Sequence, residues 1–236
     1  FVAAKRDEKQ LTPSPAADKR VLIRRVYLDI IGLPPTPAEI QAFLADTSPN
    51  AYENVVDRLL ASPRYGERWG RHWMDIWRYS DWYGFGSQVR NSQPHIWHWR
   101  DWIVESLNQD KGYDRMVQEM LAGDELAPTD LSTLRATGYL ARTWYRFNRN
   151  VWLQDTVEHV SAGFLGVTLK CARCHDHKYD PLAQEEYYKF RAFFEPYDVR
   201  LDPAPGEADT TKDGIARTFD AEPREATTKD PLLPGI

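Results

Sequence analysis

Gln154-Asp-Thr-Val-Glu-His-Val-Ser-Ala-Gly-Phe-Leu-Gly-Val-Thr-Leu-Lys170 places Val157, Val160, Phe164 and Val167 on one helical face and runs directly into Cys171. That spacing fits a helix and defeats a strand, whose apolar residues alternate. The same period recurs upstream. Leu22, Val26 and Ile30 follow it from Asp18 until Gly32 and the Pro34-Pro35 pair, which are stop signals. Thr36-Pro37-Ala38-Glu39 reads as a capping box with proline at the first helical position. Further helices are expected from Ser48-Pro49, from Ser62-Pro63 through Trp69, Trp73, Ile76 and Trp77, and from Pro94 through Trp99, Ile103 and Leu107. Others hold Met116 to Leu121 before Gly123, Leu134 to Phe147, and Pro181 to Phe194. Ser80 to Gln93, with Gly84 and Gly86, breaks the pattern and reads as a functional or connecting loop.

No strand pattern of useful length is seen. The expected fold class is therefore all-α: a multi-helix single domain over residues 1–195, built around a c-type haem, with an extended acidic, Pro-rich and irregular tail over 196–236. The 236 residues are 42% hydrophobic and 28% charged, enough to bury a core. A formal charge of -5 argues against nucleic acid as a partner, since phosphate binding needs clustered, uncompensated Lys and Arg. No apolar run reaches the length of a membrane span. The opening Phe1-Val-Ala-Ala-Lys-Arg lacks the regions of a signal peptide and reads as the start of a fragment.

Cysteine usage carries the chemistry. The chain has two cysteines, both in Cys171-Ala172-Arg173-Cys174-His175, the attachment pattern of a c-type haem. Two thiols three positions apart can add to the two vinyl groups on one porphyrin edge, while the adjacent His175 rises to the iron. Three other readings compete: a redox disulfide, whose usual βαβ setting is missing; zinc on Cys171, Cys174, His175 and His177, with no loop to wrap a tetrahedron; and two buried structural cysteines, which leave His175 unexplained.

Arg173 is a candidate partner for a haem propionate. His72, with Trp-rich surroundings, is the candidate sixth iron ligand, and His159, whose face continues through Gly163 and Gly166, is the alternative. His95, at a helix start beside the Gly-containing loop, is a candidate acid or base for an enzymatic reading. His177, too close to His175 to reach the opposite haem face, is left to a propionate, a backbone group or a second metal with Asp176 or Asp180.

Several stretches resemble a planctomycete family, the domain of unknown function 1549, which sits between a cytochrome c module and a further domain of unknown function. They are Leu22-Ile-Arg-Arg-Val through Gly32-Leu-Pro-Pro-Thr-Pro37, Val56 through Gly70-Arg-His-Trp73, Trp99-Arg-Asp-Trp102, Leu121-Ala-Gly-Asp124, and Phe164 through Cys171-Ala-Arg-Cys-His-Asp-His-Lys-Tyr-Asp-Pro181. The resemblance implies a bacterial cell-envelope (periplasmic) location and a role among cytochrome-type proteins, with a redox partner or neighbouring cytochrome module. The expected function is electron transfer through covalent haem c. A haem redox enzyme with an open distal site, or a CxxC interaction domain without haem, is the alternative.

Overall fold

A computed structural model of the protein describes residues 1–81, 94–145 and 148–221. The chain forms two compact units, Phe1–Arg68 and Trp69–Ile236. Residues 82–93 of the expected loop, Phe147 of the expected helix and the tail beyond Ala221 lie outside the described residues.

In the first unit, helix α1 (Val2–Glu8) buries nothing, and three helices make the core. Asp18 caps α2 (Lys19–Ile30) by accepting from Arg20 N, and the capping box at Thr36 and Glu39 opens α3 (Pro37–Ala45) with both reciprocal bonds formed. With α4 (Ala51–Leu60), they close over Ile23, Val26, Tyr27, Phe43, Val55 and Leu59. The buried stripe of α2 runs through Ile23, Val26 and Tyr27, so its phase is one residue later than the Leu22-based reading. The Tyr27 hydroxyl accepts from Arg58 at 2.8 Å, and burial pushes its pKa up to about 12. The division between units falls within α5 (Arg64–Ile76).

The second unit has an aromatic core. Trp99 and Trp102 on α6 (Trp97–Asn108), Trp77, Trp152, Tyr139 and Tyr187 are fully buried. Helix α7 (Tyr113–Leu126) passes through Gly123 by a kink at Ala122 (φ -145°, ψ 28°), where the sequence suggested a stop. Gly123 is needed there, because a Cβ would sit 3.1 Å from the Thr133 carbonyl oxygen. The expected helix from Leu134 to Phe147 is broken: α8 (Leu131–Leu134), a 3₁₀ turn at Arg135–Thr137 and α9 (Gly138–Ala141) follow one another. Gly138 lets this segment press on α6, since a Cβ would lie 2.6 Å from the Trp99 Cβ. Asn148 caps α10 (Arg149–Val160), which widens into a π turn at Ser161–Leu165 and ends at Gly166 in the left-handed region (φ 66°). A 3₁₀ turn at Cys171–Arg173 and helix α11 (Gln184–Ala192) complete the helices.

Two parts of the expected fold class are corrected. The protein is not all-α, because β1 (Tyr197–Pro203) and β2 (Gly214–Asp220) pair as an antiparallel hairpin with Val199 opposite Thr218 and Leu201 opposite Ala216. The expected irregular tail is therefore ordered through Asp220. Nor is the fold built around a haem: Trp and Tyr side chains fill the core of the second unit, and Cys171 and Cys174 are exposed. Polar anchors hold the hairpin. Thr218 N donates to Thr137 Oγ1 at 3.0 Å, Trp144 Nε1 donates to Asp198 at 3.1 Å, and Arg217 pairs with Asp202.

Candidate cofactor-attachment site

The π turn ends where Gly166 reverses the chain, and Leu169, buried, anchors the approach to Cys171. Ala172 is fully buried, so the turn is nailed down at its middle while the cysteines on either side face solvent. Both thiols are free. The backbone of the turn is held from α11: Gln184 Nε2 and the Tyr188 hydroxyl both donate to the Arg173 carbonyl, at 3.1 and 3.0 Å. Asp176 Oδ1 accepts from Gln184 N at 2.8 Å, so this carboxylate caps the helix that holds the turn.

The two histidines of the stretch are fixed by the same ring nitrogen for different ends. His175 Nδ1 lies 2.7 Å from the Asp176 carbonyl oxygen. A carbonyl only accepts, so Nδ1 carries the proton, and in neutral imidazole Nε2 keeps its lone pair. His177 Nδ1 instead accepts from Asp180 N at 3.0 Å, while His177 N donates to the Leu182 carbonyl at 2.8 Å. His177 thus stitches the Lys178–Pro181 turn shut. The donor set fits a c-type haem: two accessible thiols at the required spacing, and a histidine whose second nitrogen is oriented by a carbonyl. Among the described residues, no three His, Cys, Asp or Glu side chains gather as a metal-binding group, so the four-ligand zinc arrangement is not formed.

The other candidates lie in other settings. Arg173 is half-buried. His72 is exposed on α5, with a ring contact to Trp69 at 5.5 Å between centroids. His159 Nδ1 accepts from Arg142 Nη2 at 3.1 Å, and burial together with Arg142, Arg78 and Lys170 pushes its pKa down to about 3. It is neutral at ordinary pH. His95 is buried and donates from Nε2 to the Thr210 carbonyl at 2.8 Å. His98, three residues on, donates from Nε2 to Asp213 at 2.8 Å, beside a cleft of about 400 Å³ that includes Trp97 and Arg135.

Sequence reasoning missed His98, Asp213 and Arg142. The His95–His98 spacing, which puts two imidazoles on one helical face, was an available signal for the first; nothing local marks Arg142.

No helix among the described residues is long and apolar enough to cross a membrane. No curated protein and no solved structure matches the chain. The family model PSCyt2, described as "Protein of unknown function (DUF1549)", matches residues 1–199, a span that takes in Cys171 to His175, and the chain belongs to that family.

Proposed function

We propose that the protein carries haem c on Cys171 and Cys174, with His175 as proximal iron ligand, and serves electron transfer in the bacterial cell envelope. The orientation of His175 carries this reading: its Nδ1–H is spent on the Asp176 carbonyl, which leaves Nε2 for a metal. The free, exposed thiols support it, as does a family name that associates the chain with cytochromes. Each thiol would add across a vinyl C=C, sulfur bonding one carbon and the thiol hydrogen passing to the other, with no net oxidation. A bound haem iron would supply one-electron chemistry. Asp176, Gln184 and Tyr188 keep the attachment turn in place, and Ala172 keeps its backbone against the core.

Of the two candidates for the second axial position, His72 has no hydrogen-bond partner among the described residues, whereas His159 Nδ1 is engaged by Arg142. His72 is the better proposal. Attachment of this kind supports a location outside the cytoplasm, and a redox partner protein or a cytochrome module of a longer chain as the electron-transfer neighbour.

The test is expression of the full chain in a periplasm that contains c-type maturation machinery, followed by haem staining on a denaturing gel. The pigment is expected to stay with the unfolded chain, to weaken in Cys171→Ala or Cys174→Ala, and to vanish in the double variant. Pigment extracted by acidified organic solvent, or a mature chain whose mass is that of the polypeptide alone, overturns the proposal.

A further inference from the structure

Three segments far apart in sequence meet at the cleft of about 400 Å³ in the second unit: the start of α6, the run from α8 into its 3₁₀ turn, and the β1–β2 hairpin with its connection. Its apolar walls are Trp97, Leu131, Pro205 and Ile215. The volume lies within the range of clefts that take a small organic molecule. The hairpin wall is pinned in place, because His95 Nε2 donates to the Thr210 carbonyl and His98 Nε2 to Asp213, each at 2.8 Å. Trp97 is held as well. Its ring stacks on that of His98 with 3.7 Å between centroids and 25° between planes, yet the indole stays part-exposed where it lines the cleft.

Four polar side chains complete the lining, and each keeps an unused hydrogen-bonding position. His98 spends Nε2–H on Asp213, so Nδ1 has no partner among the described residues and accepts in the neutral ring. Asp101 Oδ1 accepts from Arg100 Nε at 2.9 Å, while Oδ2 has no partner among the described residues. Ser132 Oγ accepts from Arg135 Nη2 at 3.4 Å and keeps its O–H to donate. Arg135 gives both terminal nitrogens to the Glu105 carboxylate, and its Nε is unspent among the described residues. The charges are matched on the spot: Arg135 with Glu105, Arg100 with Asp101, and Asp213 with the N–H of His98. An ionic ligand would find no unmatched counter-charge here.

We propose that this cleft binds a neutral saccharide. A sugar ring has an apolar C–H face, which suits an aromatic wall, and hydroxyls that each donate and accept. Trp97 takes the face. Asp101 Oδ2 and His98 Nδ1 accept from hydroxyls, and Ser132 Oγ and Arg135 Nε donate to them. A wholly apolar ligand would cover these four groups without satisfying them, at a cost for each. The inference is independent of the attachment chemistry at Cys171 and Cys174.

The experiment titrates glucose, galactose, xylose and cellobiose into the full chain, followed by saturation-transfer NMR and by the Trp97 and His98 side-chain resonances. Phenol serves as an apolar aromatic comparison and glucuronate as a charged one. At least one neutral sugar is expected to saturate a single site, shift both sets of resonances, and bind more tightly than phenol or glucuronate. Trp97→Ala should weaken it about tenfold and Asp101→Asn about fivefold. Phe193→Ala, which removes an exposed aromatic ring outside the cleft, should leave binding unchanged. Circular dichroism checks the fold of each variant. Should Trp97→Ala fail to fold, Asp101→Asn and Ser132→Ala carry the test, since neither side chain is buried. The proposal is overturned if no sugar saturates, if phenol or glucuronate binds more tightly than every neutral sugar, or if every folded cleft variant binds as the parent does.

Discussion

Two pairs of neighbouring histidines use their rings in opposite ways. His95 and His98, at the start of α6, present Nε2 to the β1–β2 connection: one to the Thr210 carbonyl, the other to Asp213. His175 and His177 turn Nδ1 to the local backbone, at the Asp176 carbonyl and the Asp180 N–H. The first arrangement spends the far tip of each ring on a segment more than a hundred residues away, and so ties the hairpin to the helix. The second spends the near nitrogen, fixes the ring's orientation, and leaves its tip uncommitted. The satisfied nitrogen thus tells a ring that ties distant segments together from one held within its own turn, as both His175 and His177 are.

The contrast makes its largest demand on stability at the hairpin clasp. His95→Ala removes a buried ring and strands the Thr210 carbonyl, and should destabilise the protein by about 2 kcal/mol. Urea denaturation measures it, and a loss no greater than that of an exposed substitution would dissolve the distinction. In the attachment stretch the two histidines should separate from each other. His177→Ala should cost about 1 kcal/mol by freeing the Asp180 N–H, with His177→Asn recovering part of it, because an amide oxygen can stand in for Nδ1. His175→Ala in the cofactor-free chain should stay within about 0.5 kcal/mol of the parent.

The smallest effect is a pH dependence at Asp213. Its partial burial acts to raise its pKa, but the hydrogen bond and charge of His98, the Gly214 N–H and nearby His95 prevail and hold it below the ordinary carboxylate range. A depressed carboxyl adds stability that is complete above its unfolded pKa of about 3.9 and is lost as pH falls through the lower folded value. The stability gap between the parent and Asp213→Asn should accordingly be full at neutral pH and close in acid. A gap that stays constant, followed by denaturant midpoints across that range, would remove Asp213 from the clasp.

Much of the helical content was legible because its signals are local. The Thr36–Glu39 capping box is contained in four residues, and the face of α6 carrying Trp99 and Ile103 is set by periodicity alone. The hairpin was not read. β1 does alternate, with Tyr197, Val199 and Leu201 against Asp198, Arg200 and Asp202. β2, however, buries Arg217 and Thr218 along with Ile215 and Ala216, so a strand covered on both faces is spelled with polar residues. Their partners, Asp202 and Thr137, stand 15 and 81 positions away. Cys171 to His175 was conspicuous from spacing, yet its exposure was not, because a motif states what it can bind and not how deep it lies. Arg142 shows the same limit: its burial is made by Trp99, 43 positions upstream, as much as by its neighbour Tyr139.

The hairpin register has a practical consequence for anyone who cuts the chain by homology. The family match ends at residue 199, in the middle of β1, and the whole of β2 lies beyond it. A fragment trimmed there would keep Tyr197 and Val199 but lose Thr218 and Asp220, the residues opposite them. Its last residues would present an unpaired edge to other molecules, with the buried Thr137 hydroxyl stripped of the Thr218 N–H it accepts. Self-association of such a fragment would report the missing strand, and the boundary of the folded unit belongs after Asp220.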